Sequence, residues 1–406
     1  MKRLITSIFI IIFIVLGVFI GSSFIDNYFD DDIVEDSDNI QDEPKDEEDD
    51  IVIEEKPEYS FLSLSATGDI MFHSSQYKAA YDSSTGEYDF KEVFEPVKKH
   101  LEQADIAIGN FETTTAGDEY GITSYPSFNS PTSTMEAIKY AGYDILATAN
   151  NHSVDTGRKG IVNTIDNIKN NDLDYVGTSK DPGVRFLLKE ENGIVLSFLS
   201  YTYGLNGNES RLTAEELTYM VNLIDEEKIK EDIEKAKNVS DKVVVFIHWG
   251  NEYNREPSTF QMELADKMFE WGADVILGSH PHVIQRSEMI KKDGEDKFII
   301  YSMGNFISNQ RRETLPSTMN NIYTEDGVIV NIDFKKNLDT EEVIIDKVNY
   351  IPTWVHKYSA AGKNEFRILP VPDYVENEEL SSVVRDKLRN SYTHTMELME
   401  EVEIVE

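Results

Sequence analysis

The sequence predicts an α/β domain, and two observations carry this. Short apolar, β-branched runs alternate with stretches of helical spacing along most of the chain. Those runs repeatedly end in glycine or asparagine followed by a carboxylate, an amide or an imidazole. Open α/β sheets build their sites at strand ends of this kind. The 406 residues suffice for one large or two ordinary domains, and a 40% hydrophobic content supports a substantial core.

The amino terminus stands apart from this pattern. Met1-Lys2-Arg3 precedes 22 uncharged residues, 4–25, enough helix to cross a hydrocarbon core of roughly 30 Å. Bases before the run and acids after it place the amino terminus in the cytoplasm. The expectation is a single-pass cell-membrane protein with the bulk of the chain extracellular. A cleaved signal peptide is the alternative, although Gly21-Ser22-Ser23 is not followed by a clear Ala-x-Ala site. Residues 26–58 hold 17 acids and two lysines, a net charge of −15, and read as a disordered tether. The expected organisation is an anchor over 1–25, a tether over 26–58, a main domain over 59–370 and an acidic helical appendage over 371–406. Residues 59–406 still carry −25, which argues against nucleic-acid binding. The absence of cysteine excludes disulfides, thiolate nucleophiles and Cys-based metal sites.

From residue 59 the elements follow in order. Residues 61–67 alternate like a strand and deliver Gly68-Asp69-Ile70-Met71. Residues 90–103 have helical spacing through Phe90, Val93, Phe94, Val97 and Leu101. A strand over 105–108 ends in Gly109-Asn110-Phe111-Glu112. Residues 113–131 form a long loop, a natural place for substrate contacts. A helix over 132–141, capped by Thr132 or Ser133, leads to a strand over 143–148 and the cluster Asn151, His152 and Asp155. A helix over 159–170 and a short segment at 175–177 follow. Residues 186–201 read as a hairpin turning at Glu191-Asn192-Gly193. Residues 203–222 read as a loop over the site mouth, and 225–237 as a charged helix.

Residues 242–247 form a buried strand ending in His248-Trp249-Gly250. A helix over 257–272 and a strand over 273–277 precede Gly278-Ser279-His280-Pro281-His282. On an extended chain these two imidazoles face one side, roughly 7 Å apart. That suits two metal ions roughly 3.5–4 Å apart. Strand patterning returns at 298–301, 328–334 and 343–350. From residue 373 the chain is helical and acidic.

Five strand ends therefore present Asp69, Glu112, Asn151 with His152, His248, and His280 with His282. Any one of these residues alone is more often a cap, a turn or a solvated side chain. Their repetition points to a metal centre. Mixed carboxylate, amide and imidazole donors suit one or two Mn, Fe or Zn ions better than Ca or Mg. His73 could face the same side. Arg158, Arg185, Arg311 and Arg312, taken singly, read as ordinary surface arginines.

Five motifs together resemble the CapA family of poly-γ-glutamate capsule synthesis. They are Ala66-Thr67-Gly68-Asp69-Ile70-Met71, Gly109-Asn110-Phe111-Glu112, the run from Ala149-Asn150-Asn151-His152 to Asp155-Thr156-Gly157, His248-Trp249-Gly250-Asn251-Glu252-Tyr253, and Gly278-Ser279-His280-Pro281-His282. That family is similar to the calcineurin-like metallophosphoesterases, and the resemblance implies a four-layer αββα sandwich. It implies that Asp69 and His282 hold one metal, and that Asn151, His248 and His280 hold the other. Glu112 stands in the bridging position. His152 would serve the leaving group, oriented by Asp155, and Glu252 is a further polar group. Met71 stands where the phosphoesterases have a histidine, so the first metal position is one ligand short unless His73 completes it. Two functions remain open. One is a metal-dependent hydrolase acting on a phosphoester or polymer bond. The other is an accessory protein, working with membrane subunits, that binds or guides an anionic polymer such as poly-γ-glutamate.

Overall fold

The computed structural model describes residues 58–400 and 402–403, apart from 184 and 361. The expected anchor and, except for Glu58, the tether lie outside the described residues. Among the described residues no helix is long and apolar enough to cross a membrane.

Two mixed sheets form the domain. The larger has nine strands among the described residues. From one edge it runs Lys363–Pro370, Val343–Ala360, Asp326–Asn337, Tyr59–Ile70, Ile106–Phe111, Ile145–Ala147 and Asp174–Val176. Asn305–Ile307 pairs with Tyr59–Ile70, and Val402–Glu403 pairs with Val343–Ala360. The smaller sheet runs Ile284–Lys292, Glu295–Met303, Val275–Ser279, Lys242–His248, Ile194–Thr202 and Phe186–Glu191.

Three apolar layers hold the sheets and helices together. Leu62, Leu64, Ile108, Phe198, Phe246, Leu277, Ile300 and Val330 interdigitate between the sheets. Phe94, Val97, Met135 and Ile138 bury one set of helices on the outer face of the larger sheet. Ile229, Ile233, Leu264 and Met268 do the same for the smaller sheet. The order is helices, sheet, sheet, helices. The helix Glu226–Lys237 begins at Asp225, whose carboxylate accepts from the Glu227 and Lys228 amides. The helix Thr259–Trp271 starts with a Ser258 capping box and ends at Gly272, at φ 115°.

Several elements differ from expectation. The helix Ser133–Tyr140 has Thr132 at its cap position, but no side chain caps it. The Thr132 hydroxyl turns instead to Asp118 Oδ1, 3.1 Å away. The smaller sheet gains the strand Ile284–Lys292, which turns through Asp293-Gly294 at φ 53° and 88° into its partner. That dipeptide is a strong hairpin signal. The strand Val343–Ala360 is far longer than its apolar portion, because its second half pairs with Lys363–Pro370.

The carboxyl-terminal segment ties the sheets to each other. The helix Ser382–Met396 leads to residues 397–400, where Leu398 O accepts from Ser287 N at 2.9 Å. Tyr350 Oη, on the larger sheet, donates to Glu400 O at 2.7 Å.

At the crossover, backbones pack with no room for a side chain. A Cβ on Gly278 would lie 1.9 Å from Tyr301 O, and one on Gly68 would lie 2.0 Å from Gly304 O. Both clashes are with backbone, which cannot yield as a side-chain tip can. Gly278→Ala is expected to destabilise the fold by at least about 2 kcal/mol, read as a fall in the urea midpoint at constant m-value.

Candidate metal centre

The site forms where the carboxyl ends of parallel strands in both sheets meet. In the larger sheet Asp69 lies beside Asn110 on one neighbour and Asn305 on the other. In the smaller sheet His248 lies beside Ser279. The chain then continues into loops that carry Glu112, Asn151, His280 and His282.

These residues converge. Ligand atoms of Glu112, His248 and His280 lie within 4.8 Å of one another, and so do those of Asp69, Glu112 and His282. All five side chains are buried. Asn151 Oδ1 joins them, 3.1 Å from His248 Nε2. Beside the cluster, His152 Nδ1 meets Asp155 Oδ2 at 2.7 Å. The Phe128 and His152 rings pack near-perpendicular, 4.8 Å between centroids.

His280 and His282 do not sit on an extended chain. Their φ values are 99° and 59°, in the left-handed region that non-glycine residues seldom enter. The two rings are 5.9 Å apart between centroids and tilted by 59°. The pairing of the imidazoles is therefore a property of the turn, not of strand alternation. Asn305 Nδ2 donates to His282 O at 3.2 Å, and Asp69 Oδ2 accepts from His280 N at 3.4 Å. Strain of this kind persists where surrounding contacts over-determine the backbone.

The electrostatics centre on Glu112. Both of its carboxylate oxygens are buried without a hydrogen-bond partner. Burial first, and then the adjacent Asp69 carboxylate, raise its pKa well above the ordinary 4.5. His280 Nδ1 is likewise buried without a partner. Burial, then neighbouring imidazoles, push His248 and His280 well below 6.5, so both stay neutral and available as donors. Burial opposes charge on His282, but its contact with Asp69, 3.2 Å from Nδ1, outweighs that and raises it. Two orphaned acceptor oxygens among neutral imidazoles fit a divalent cation. The donor set is right for a transition metal and wrong for an all-oxygen calcium site.

His73 plays a different part from a missing ligand. Its Nδ1 accepts the Asn309 backbone N–H at 3.2 Å. In the neutral ring the proton then sits on Nε2, whereas a ligating histidine normally donates through its second nitrogen. Burial, and then the charge of His282, lower its pKa to about 4.

Several residues the motifs had not singled out hold the site. Asn110 Nδ2 donates to Asp69 Oδ1 at 2.8 Å, and Ser279 Oγ lies 2.9 Å from His248 Nδ1. Asn305 Oδ1 lies 3.1 Å from His282 Nδ1. Asn110 and Asn305 each follow a glycine at a strand end, which was their available signal. From the 203–222 segment, Tyr203 packs on His280 at 4.5 Å between centroids, and Asn206 Oδ1 accepts from Asn151 at 3.3 Å. The four arginines are all engaged: Arg158 with Glu216, Arg185 with Asp232, and Arg311 and Arg312 with Glu325.

Two outcomes follow from Glu112. The folded, metal-free protein binds the Glu112 proton more tightly than the unfolded chain does. Its stabilising contribution is therefore present at low pH and lost as pH rises from 4.5 through the raised value. A cation must displace that proton and the one favoured on His282, so metal affinity rises with pH. Calorimetric titration of Mn2+ at pH 6 in two buffers of different ionisation enthalpy should show net proton release; equal heats would contradict it. Glu112→Gln should stabilise the chelated protein by roughly 1–3 kcal/mol and abolish the rise in melting temperature on adding Mn2+.

A family model described as bacterial capsule synthesis protein PGA_cap matches residues 63–310. The capsule biosynthesis protein CapA of Bacillus anthracis is 33% identical over 261 residues, 61% of this chain and 60% of that protein. The aligned part thus spans less than two thirds of that relative. The PGA biosynthesis protein CapA of Bacillus subtilis is 29% identical over 281 residues, 68% of each chain. Among solved structures, a phosphatase from Mycoplasma pneumoniae superposes with a TM-score of 0.43 at 15% identity, covering 73% of this chain and 94% of its own. The family match takes in all five strand-end motifs, and the chain belongs to the bacterial capsule synthesis protein family PGA_cap.

Proposed function

We propose that this chain is a cell-membrane-anchored, largely extracellular capsule-synthesis protein. It acts on an anionic polymer such as poly-γ-glutamate at a centre of one or two Mn, Fe or Zn ions. The observation that carries this reading is Glu112, fully buried among Asp69, His248, His280 and His282 with no hydrogen bond to either oxygen and Oε1 3.5 Å from His248 Nε2. Asp69 and His282 would hold one ion, and Asn151, His248 and His280 the other, with Glu112 between them. A bound ion supplies positive charge and Lewis acidity at a phosphoryl or carbonyl oxygen.

The chain's own residues fit that chemistry. With Nδ1 engaged by Asp155, His152 has Nε2 left to give or take a proton. Residues 59–406 carry −25, and the arginines considered are paired with acids, so the protein surface would not attract a polyanion. The metal centre is where such a polymer would find positive charge. The apolar run over 4–25 supports the membrane anchor, and membrane subunits of a capsule-synthesis assembly are the partners this placement implies.

A second reading is polymer binding without turnover. Buried Met71 favours it, because an imidazole at that position would complete the first ion's ligands.

The test is metal content of the purified full-length chain beside His280→Ala, each assayed on a generic phosphodiester. Tightly held transition metal, lost in the variant together with turnover, supports a hydrolase. His152→Ala should then keep the metal and lose roughly 10²–10⁴-fold in rate. Metal without turnover supports the binding reading. No metal in the wild-type protein overturns the centre.

A further inference from the structure

One carboxylate at the mouth of the centre has no assigned role. Glu252 offers an oxygen within 4.8 Å of ligand nitrogens of both His280 and His282. The two imidazoles are buried, while Glu252 is exposed. Among the described residues its carboxylate has neither a hydrogen bond nor an ion pair, although the chain is rich in acid–base pairs elsewhere. His280 Nδ1, only 3% exposed as a residue, is also without a partner.

The backbone that carries Glu252 is held on both sides. Gly250 takes φ 90° and Tyr253 takes φ 62°. The Tyr253 N–H donates to Pro281 O at 2.7 Å, locking this loop to the turn that bears the two histidines. Asn320 Nδ2 donates to Tyr253 O at 2.7 Å. Two residues on, Arg255 pairs with Glu397 at 2.9 Å and lies 4.0 Å over the Tyr323 ring. An exposed side chain on a backbone this constrained has a reason to be aimed.

We propose that Glu252 is a displaceable ligand of the ion at Asp69 and His282, closing its solvent-facing coordination position beside His280 until an anionic substrate takes its place. This rests on reading the cluster as a metal centre. Two donors at about 2.1 Å from one ion lie at most about 4.2 Å apart. Glu252, within 4.8 Å of both imidazole nitrogens, comes into range by side-chain rotation, which its exposure permits. It makes up for the ligand lost at Met71. Because it is solvated, releasing it costs little, whereas releasing a buried ligand would strand a charge. A phosphate or carboxylate group arriving from solvent can exchange with it.

The test is calorimetric titration of the full-length chain with Mn2+, and then of the Mn2+-loaded protein with inorganic phosphate. Glu252→Gln, Glu252→Asp and Glu256→Gln are compared with wild type. Glu256 is an exposed acid on the same loop and controls for net charge. Glu252→Gln should weaken Mn2+ binding about 10-fold and tighten phosphate binding to the loaded protein. Glu252→Asp, which keeps the charge but not the reach, should behave like Glu252→Gln. Glu256→Gln should match wild type. Unchanged Mn2+ affinity in Glu252→Gln overturns the ligand while leaving the metal centre standing, and wild-type affinity in Glu252→Asp reduces Glu252 to a charge and overturns it too. A wild-type protein that binds no Mn2+ removes the metal centre itself, and this inference with it.

Discussion

The contact between Asp69 and Glu112 is the constraint on which the site is built. Two carboxylates are buried against each other, and the inner one has no hydrogen-bond donor on either oxygen. Burying one unpaired charge costs several kcal/mol, and a second like charge beside it adds to that. Such a pair needs a shared proton or a cation. The surrounding residues are disposed for the cation. His248 and His280 are kept neutral by burial, and Asn110 and the His280 amide hold the Asp69 carboxylate in place. The price in stability falls on the metal-free state, as is usual where function requires a strained or desolvated arrangement.

The scaffold's task is to hold that arrangement to a fraction of an ångström. Parallel strands with close-packed glycine backbones at Gly68 and Gly278 fix the strand ends. The left-handed turn at His280 and His282 is held by Asp69 and Asn305, themselves on neighbouring strands. The carboxyl-terminal helix contributes at a distance. The segment after it bridges the two sheets through Leu398 and Glu400, and Arg255 anchors the 250–256 loop to His394 O and Glu397 at the helix end. Rigid strands supply the inner donors, and loops braced by hydrogen bonds supply the outer ones, Tyr203 and Glu252.

The charge distribution gives the site its direction. A strongly acidic chain in which arginines such as Arg158, Arg185, Arg311 and Arg312 pair with its own carboxylates has little to offer a polyanion over most of its surface. A divalent ion in a water-poor cleft interacts with an anionic group far more strongly than exposed lysines would. A cation held there would concentrate positive charge at one place on an otherwise acidic chain.

Much of this was legible in the sequence, for a physical reason. Strand and helix follow local periodicity, and the strand-end residues Asp69, Glu112, His248 and His280 are marked by the apolar runs before them, with a glycine between run and ligand for all but His248. Asp293-Gly294 was an equally local signal for a hairpin. Tertiary structure alone decided the rest. The turn conformation of His280 and His282 depends on acceptors and donors more than 20 residues away in sequence, at Asp69 and Asn305. The Nδ1 acceptor role of His73 depends on the amide of Asn309. The second half of the strand Val343–Ala360 lacks apolar patterning and exists because Lys363–Pro370 pairs with it. The local sequence determined which residues arrive at strand ends. Only packing between the sheets determined which of them face one another, because hydrogen-bond partners and desolvation are properties of neighbours in space.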